Sequence, residues 1–166
     1  MEASPKPIKR LNTRKSIERS QTESALKTGW SMKVAGREFS WSNQMERVNL
    51  IRAGLPFESI EEVGKKANLP VKQVLYKLGI AQTTYNKKKR EKERMSGRDS
   101  EVILLLFELL EYGLEVFNNE SDKFLRWLQK PNVSLGAVKP ENLFDSVTGI
   151  LEVKNALNRL EYGQLA

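Results

Sequence analysis

Between Arg98 and Asn118 the sequence sets Val102, Ile103, Leu106, Leu109, Leu110, Leu114, Val116 and Phe117 at helical spacing. Leu104, Leu105 and Phe107 make the same helix apolar on more than one face. Such a helix is central: both halves of the chain, or a second copy, must pack on it. Glu101, Glu108, Glu111 and Glu115 read as its wet stripe. Other amphipathic segments are available to cover it. Ser42 or Asn43 caps a helix through about Ala53, with Met45, Val48 and Ile51 on one face and Gly54 as its stop. Ser59 caps a short helix with Ile60, Val63 and Ala67 on its apolar face, and Glu61 and Glu62 suit its positive end. Pro70 opens a helix to Leu78 with Val71, Val74, Leu75 and Leu78 inward, and Gly79 stops it. Another begins at about Gln82 and runs to Arg90 or beyond. Ser96 and Asp99 form a capping-box pair before the long helix. Beyond it lie a helix from Ser121 to Gln129, a loop from Lys130 to Lys139, and a short helix opened by Pro140. Gly149 makes a sharp bend into a last helix to Leu160, with Ile150, Val153, Leu157 and Leu160 inward. We read no alternating strand run and no internal repeat. The expected fold class is all-α.

Function classes fall away on composition. The chain has 166 residues and contains neither cysteine nor histidine. Disulfides, thiolate metal sites, a Ser-His-Asp triad and histidine base catalysis are therefore excluded. Glu108 and Glu111, one turn apart, are the best acid–base candidates, but such a pair reads as solvated helix surface and no phosphate loop accompanies it. The expectation is no enzyme, no catalytic residue, no metal and no cofactor. The longest apolar run, Val102 to Phe107, is too short to span a bilayer, so no membrane partner is expected. The first 25 residues are polar and basic without an apolar core, which points to the cytoplasm.

Charge divides the chain. Residues 1–40 hold 9 Lys/Arg against 4 Asp/Glu, residues 41–98 hold 13 against 6, and residues 99–166 hold 6 against 11. A basic front and an acidic back suggest two partners of opposite character. The reading is a disordered basic arm over 1–39, a helix-turn-helix domain over 40–97, and a linking helix with a C-terminal binding domain over 98–166.

Two stretches carry function. In VLYKLGIAQTTYNKKKRE, Val74 to Glu91, an apolar helix is followed by a tight turn at Gly79, Ile80 plugs the core, and a polar, basic helix follows. That is the sequence of a helix-turn-helix. Gln82, Thr83, Thr84 and Asn86 stand where base edges are read. Tyr85 packs its ring inward with its hydroxyl free for a phosphate. Lys87, Lys88, Lys89 and Arg90 are placed for phosphates. Ala81 takes the place where Ser or Thr commonly caps such a helix.

The second stretch, FLRWLQKPNVSLGAVKPENLFDSVTGILEVKNALNRLEYG, spans Phe124 to Gly163. Periodicity alone makes it a compact helical unit with no assigned activity. Its Trp-Leu, Pro-Asn, Leu-Gly, Pro, Gly and Arg-x-Glu-Tyr-Gly series resembles the toxin-binding domain of Xre/MbcA/ParS-type antitoxins. The helices before it resemble the Xre-like helix-turn-helix half of the same proteins, so the likeness covers about residues 40–166. Ala137 departs from it, standing where the family usually has a second Gly. The resemblance implies a homodimeric antitoxin that binds a RES-domain toxin from the same operon, a NAD-degrading or ADP-ribose-transferring protein. It covers that toxin's active site and binds operator DNA. It also implies toxin-facing residues Asn158, Arg159, Glu161, Tyr162 and Gly163, with Trp127 and Asn132 in support. The alternative is a stand-alone helix-turn-helix regulator whose C-terminal domain binds another protein.

Overall fold

The computed structural model describes residues 29–163. In chain order the elements are β1 (Trp30–Val34), β2 (Arg37–Trp41), α1 (Gln44–Ala53), α2 (Ser59–Ala67), α3 (Val71–Leu78), α4 (Gln82–Arg90), α5 (Gly97–Val116), α6 (Ser121–Leu128) and α7 (Val147–Glu161). Two 3-10 turns, Val133–Leu135 and Pro140–Leu143, stand where the loop and the short Pro140 helix were expected. The architecture is mostly helical, as the periodicity predicts.

The organising element is α5. Its 20 residues span about 30 Å. Every residue from Val102 to Leu110 is buried. The helix packs against α7 and α6 on one side and against α1 and α2 on the other. Ser96 caps it by accepting from Asp99 N at 3.1 Å, the capping pair read from the sequence. Inside, Ser100 Oγ accepts from Leu55 N at 2.9 Å, which ties the loop between α1 and α2 to the central helix. No helix among the described residues is long and apolar enough to cross a membrane.

The strands correct the sequence reading. The sequence reading places residues 29–39 in a disordered arm and expects no strand, yet β1 and β2 form an antiparallel hairpin. Its register runs from Trp30 opposite Trp41 to Val34 opposite Arg37. Met32, Val34 and Trp41 point into the core while Ser31, Lys33 and Ser40 face out, the period of two that a half-buried strand requires. Ala35 and Gly36 make the turn with φ of 48° and 77°, the left-handed pair that suits strand twist. The rest of the expected arm, residues 1–28, lies outside the described residues.

Smaller corrections follow from packing. Asn43 caps α1, accepting from Glu46 N at 3.0 Å, but Met45 is 64% exposed rather than inward. Ser59 is the first residue of α2, not its cap, and its buried Oγ has no partner among the described residues. α4 stops at Arg90. Gly149 makes no bend: Ser146 caps α7 and accepts from Gly149 N at 3.1 Å inside the first turn. Leu160 is 44% exposed rather than inward.

Candidate functional site

Two surfaces hold the residues singled out by sequence. The first is α4, reached from α3 through Gly79, whose φ of 69° lets the chain turn where a side chain would be strained. Gln82, Thr83, Thr84, Asn86, Lys87 and Arg90 are exposed along it, and Gln82 Nε2 donates to Asn86 Oδ1 at 3.0 Å. The inner side departs from expectation. Tyr85 is buried, and its hydroxyl is not free for a phosphate: it donates to Glu61 Oε1 at 2.7 Å. Burial, and then that hydrogen bond, hold the phenol well above its ordinary pKa. Lys89 pairs with the same Glu61 carboxylate and lies over the Tyr85 ring. The Lys89 hydrogen bond, followed by that of Tyr85, lowers the Glu61 pKa. Lys88 pairs with Glu93. Two of the four consecutive cations therefore fasten α4 to its surroundings. Lys87 and Arg90 have no carboxylate partner among the described residues.

The second surface is the end of α7. Tyr112 on α5 donates to Asn158 Oδ1 at 2.5 Å and is also within reach of the Glu161 carboxylate. Burial, and then the Glu161 contact, raise the Tyr112 pKa. Asn158, Glu161 and Tyr162 line one wall of a cavity of about 410 Å³ whose other walls include Trp30, Glu111, Tyr112 and Lys154. Tyr162 is 74% exposed at its mouth, and Gly163 follows with φ of 65°.

The remaining candidates sit elsewhere. Arg159 turns toward the loop, where Nη2 reaches Ser134 Oγ at 3.4 Å, and its buried Nε has no partner among the described residues. Asn132 caps the first 3-10 turn, accepting from Ser134 N at 2.9 Å. It supports that loop and does not line the cavity. At Ala137 φ is 61°, so the loop keeps the left-handed backbone a glycine would adopt. Trp127 packs in an aromatic cluster with Phe117 and Phe124, with ring centroids 5.6 to 6.3 Å apart.

Sequence reasoning missed two contacts that position these surfaces. Glu108 is not part of the wet stripe. It is 8% exposed, accepts from Trp41 Nε1 at 2.8 Å and faces Arg47 Nε at 3.2 Å. Three elements meet there: β2, α1 and α5. Lys77 on α3 donates to the Glu141 carbonyl at 2.7 Å, joining the helix-turn-helix to the C-terminal turns. No sequence signal marks either contact, since the partners are 61 to 67 residues apart.

Known proteins resemble both surfaces. Residues 113–163 match the antitoxin Xre/MbcA/ParS C-terminal toxin-binding domain, and residues 46–108 match the antitoxin Xre-like helix-turn-helix domain. Antitoxin Xre of Photorhabdus laumondii is 25% identical over 114 residues, covering 69% of this chain and 77% of its own length. Antitoxin Xre of Yersinia enterocolitica is 26% identical over 116 residues, covering 70% and 78%. A Sphingobium protein named Prs ADP-ribosylating antitoxin is 28% identical over 134 residues, covering 75% and 84%.

Proposed function

Because this chain belongs to the Xre/MbcA/ParS family of antitoxins, we propose that it captures a toxin encoded beside it with the end of α7 and holds operator DNA with α4. The toxin in this reading carries a RES domain and consumes NAD or transfers ADP-ribose. The name of the Sphingobium relative, which carries ADP-ribosylation, agrees with that chemistry. The antitoxin acts by covering the toxin's active site. It performs no chemistry itself, works as a homodimer in the cytoplasm, and represses its own operon.

One observation carries the toxin half. The last turn of α7 is anchored from below by Tyr112, which holds Asn158 and Glu161, while Tyr162 and Gly163 stand exposed beside a polar cavity. The last turn of a helix normally frays. This one is held in place before its partner arrives, which lowers the ordering entropy of binding. An exposed tyrosine beside a carboxylate is a fitting plug for a cleft that binds a dinucleotide, and Tyr is a frequent anchor. Asn158, Arg159, Glu161, Tyr162 and Gly163 are assigned to the contact, with Trp127 and Asn132 supporting the fold beneath it.

The DNA half rests on the exposed row Gln82, Thr83, Thr84 and Asn86 at the start of α4, followed by Lys87 and Arg90. These positions suit base edges first and phosphates second. Lys88, Lys89 and Tyr85 contribute by holding the helix in its seat.

The decisive experiment co-expresses the chain with the product of the neighbouring reading frame and follows NAD consumption. The full chain is expected to stop it, and a chain lacking Glu161–Ala166 to inhibit at least about tenfold less strongly, as loss of anchor residues does. Undiminished inhibition by the shortened chain would overturn the assignment to the end of α7. A full chain that binds DNA and leaves NAD consumption untouched would favour a stand-alone regulator.

A further inference from the structure

The hairpin was not expected, and its tip is not needed for the core. Ala35 and Gly36 are exposed, and the space around Gly36 is open. The tip stands beside the exit of α4. After Arg90 the chain turns at Lys92, whose φ is 55°, with Lys92 N donating to the Lys89 carbonyl at 3.1 Å and Glu93 N to that of Lys88 at 2.9 Å. Arg94 then fastens the exit to the hairpin. Its guanidinium lies 5.9 Å from the Phe39 ring and donates to the Gly54 carbonyl at 3.1 Å. Between tip and exit is a groove of about 420 Å³ whose charged walls are Arg37, Lys92, Arg94, Glu58 and Glu93.

The balance in that groove is cationic. Glu93 is already paired with Lys88, and Glu38, on the outer face of the hairpin, bonds Ser31. Lys33 stands opposite Glu38 in the strand register, so its charge is partly offset. Arg37 and Lys92 are exposed and have no carboxylate partner among the described residues. Glu58 is the one groove carboxylate left to oppose them.

We infer that the β1–β2 tip and the α4 exit form a wing that grips the DNA backbone beside the recognition helix, with Arg37 and Lys92 as its phosphate contacts. This inference rests on α4 lying on DNA. Its support is continuity and charge. Lys87 and Arg90 stand in the last turn of α4, Lys92 follows two residues after it, and Arg37 lines the same groove as Lys92. A duplex presents one negative charge per ~1.7 Å of axis, so a surface extending beyond α4 meets further phosphates at once. The contact reads no bases. Its effects are on affinity, on salt dependence and on the angle at which α4 enters the groove.

The test is a salt series of fluorescence anisotropy with the full chain and a random-sequence duplex of about 20 base pairs, since each phosphate contact contributes about 0.9 to the slope of log affinity against log salt. Three proteins are compared: the natural chain, Arg37→Ala/Lys92→Ala, and Lys87→Ala/Arg90→Ala. All four positions are exposed, and thermal melts establish that the variants fold. The wing predicts that Arg37→Ala/Lys92→Ala lowers the slope by about 1.8 and weakens binding at about 50 mM salt. An unchanged slope there, with a lowered slope in Lys87→Ala/Arg90→Ala, overturns the wing and leaves α4 on the DNA. The opposite pattern removes α4 from the DNA and with it the wing as a contact beside a recognition helix. No binding by the natural chain, or no change in either variant, overturns both.

Discussion

Glu108 sits four residues from Leu104 and three from Glu111, in a pattern that reads as helix surface, yet it is among the most buried carboxylates described. Its partners explain the burial. A carboxylate withdrawn from water needs both hydrogen bonds and an opposite charge. Trp41 supplies the first and Arg47 the second. Removing the carboxylate leaves the Trp41 N–H and the Arg47 charge without an acceptor. Glu108→Leu should therefore destabilise the fold by about 3 kcal/mol, a fall of roughly 10 °C in melting temperature. The double variant Glu108→Leu/Arg47→Met should recover a large part of that loss, because no uncompensated charge remains. Thermal melts of the two variants decide it: equal losses would show that the pair is not coupled. The same reasoning covers Tyr85. A tyrosine at the inner edge of a recognition helix can be recognised from its spacing, but the Glu61 carboxylate that claims its hydroxyl lies on another helix, 24 residues away.

At the scale of elements, most of the fold was readable because helices announce themselves locally. Caps at Asn43 and Ser96 and stops at Gly54 and Gly79 stand within one turn of the helix they bound. The hairpin was not readable in the same way. Its turn is Ala-Gly rather than Asn-Gly, and its outward Ser, Lys and Glu residues resemble a solvated arm. Only Met32, Val34 and Trp41, taken with a core they cannot touch in sequence, reveal the strands. Gly149 shows the opposite error, a recognised residue given the wrong reason. It lies inside α7, where a Cβ would come within 2.2 Å of the Leu143 carbonyl oxygen. Intrinsic propensity favours alanine in a helix by about 1 kcal/mol. Here the clash with backbone dominates, and Gly149→Ala should lower stability by about 1–3 kcal/mol in a denaturant titration. A stabilised variant would mean that the second 3-10 turn yields freely and that α7 is not seated against it. The end of α7 was readable only through family likeness. Its anchor, Tyr112, is 46 residues from Asn158 and nothing in the sequence connects them.

For the whole molecule, the division of charge seen in the sequence corresponds to two separate surfaces on one core. α5 seats both. Its side toward α1 and α2 carries the helix-turn-helix, and its side toward α6 and α7 carries the polar cavity and the tail. Lys77 is a direct polar link between them, from α3 to the Glu141 carbonyl. The central claim is that the partner protein meets the end of α7 while α4 stays open for DNA. Hydrogen exchange of the full chain, alone and with the product of the neighbouring reading frame, tests that claim most directly. Protection is expected at residues 158–163 and along the last turns of α7, with exchange in α4 unchanged. Protection centred on α4, with none at residues 158–163, would contradict it.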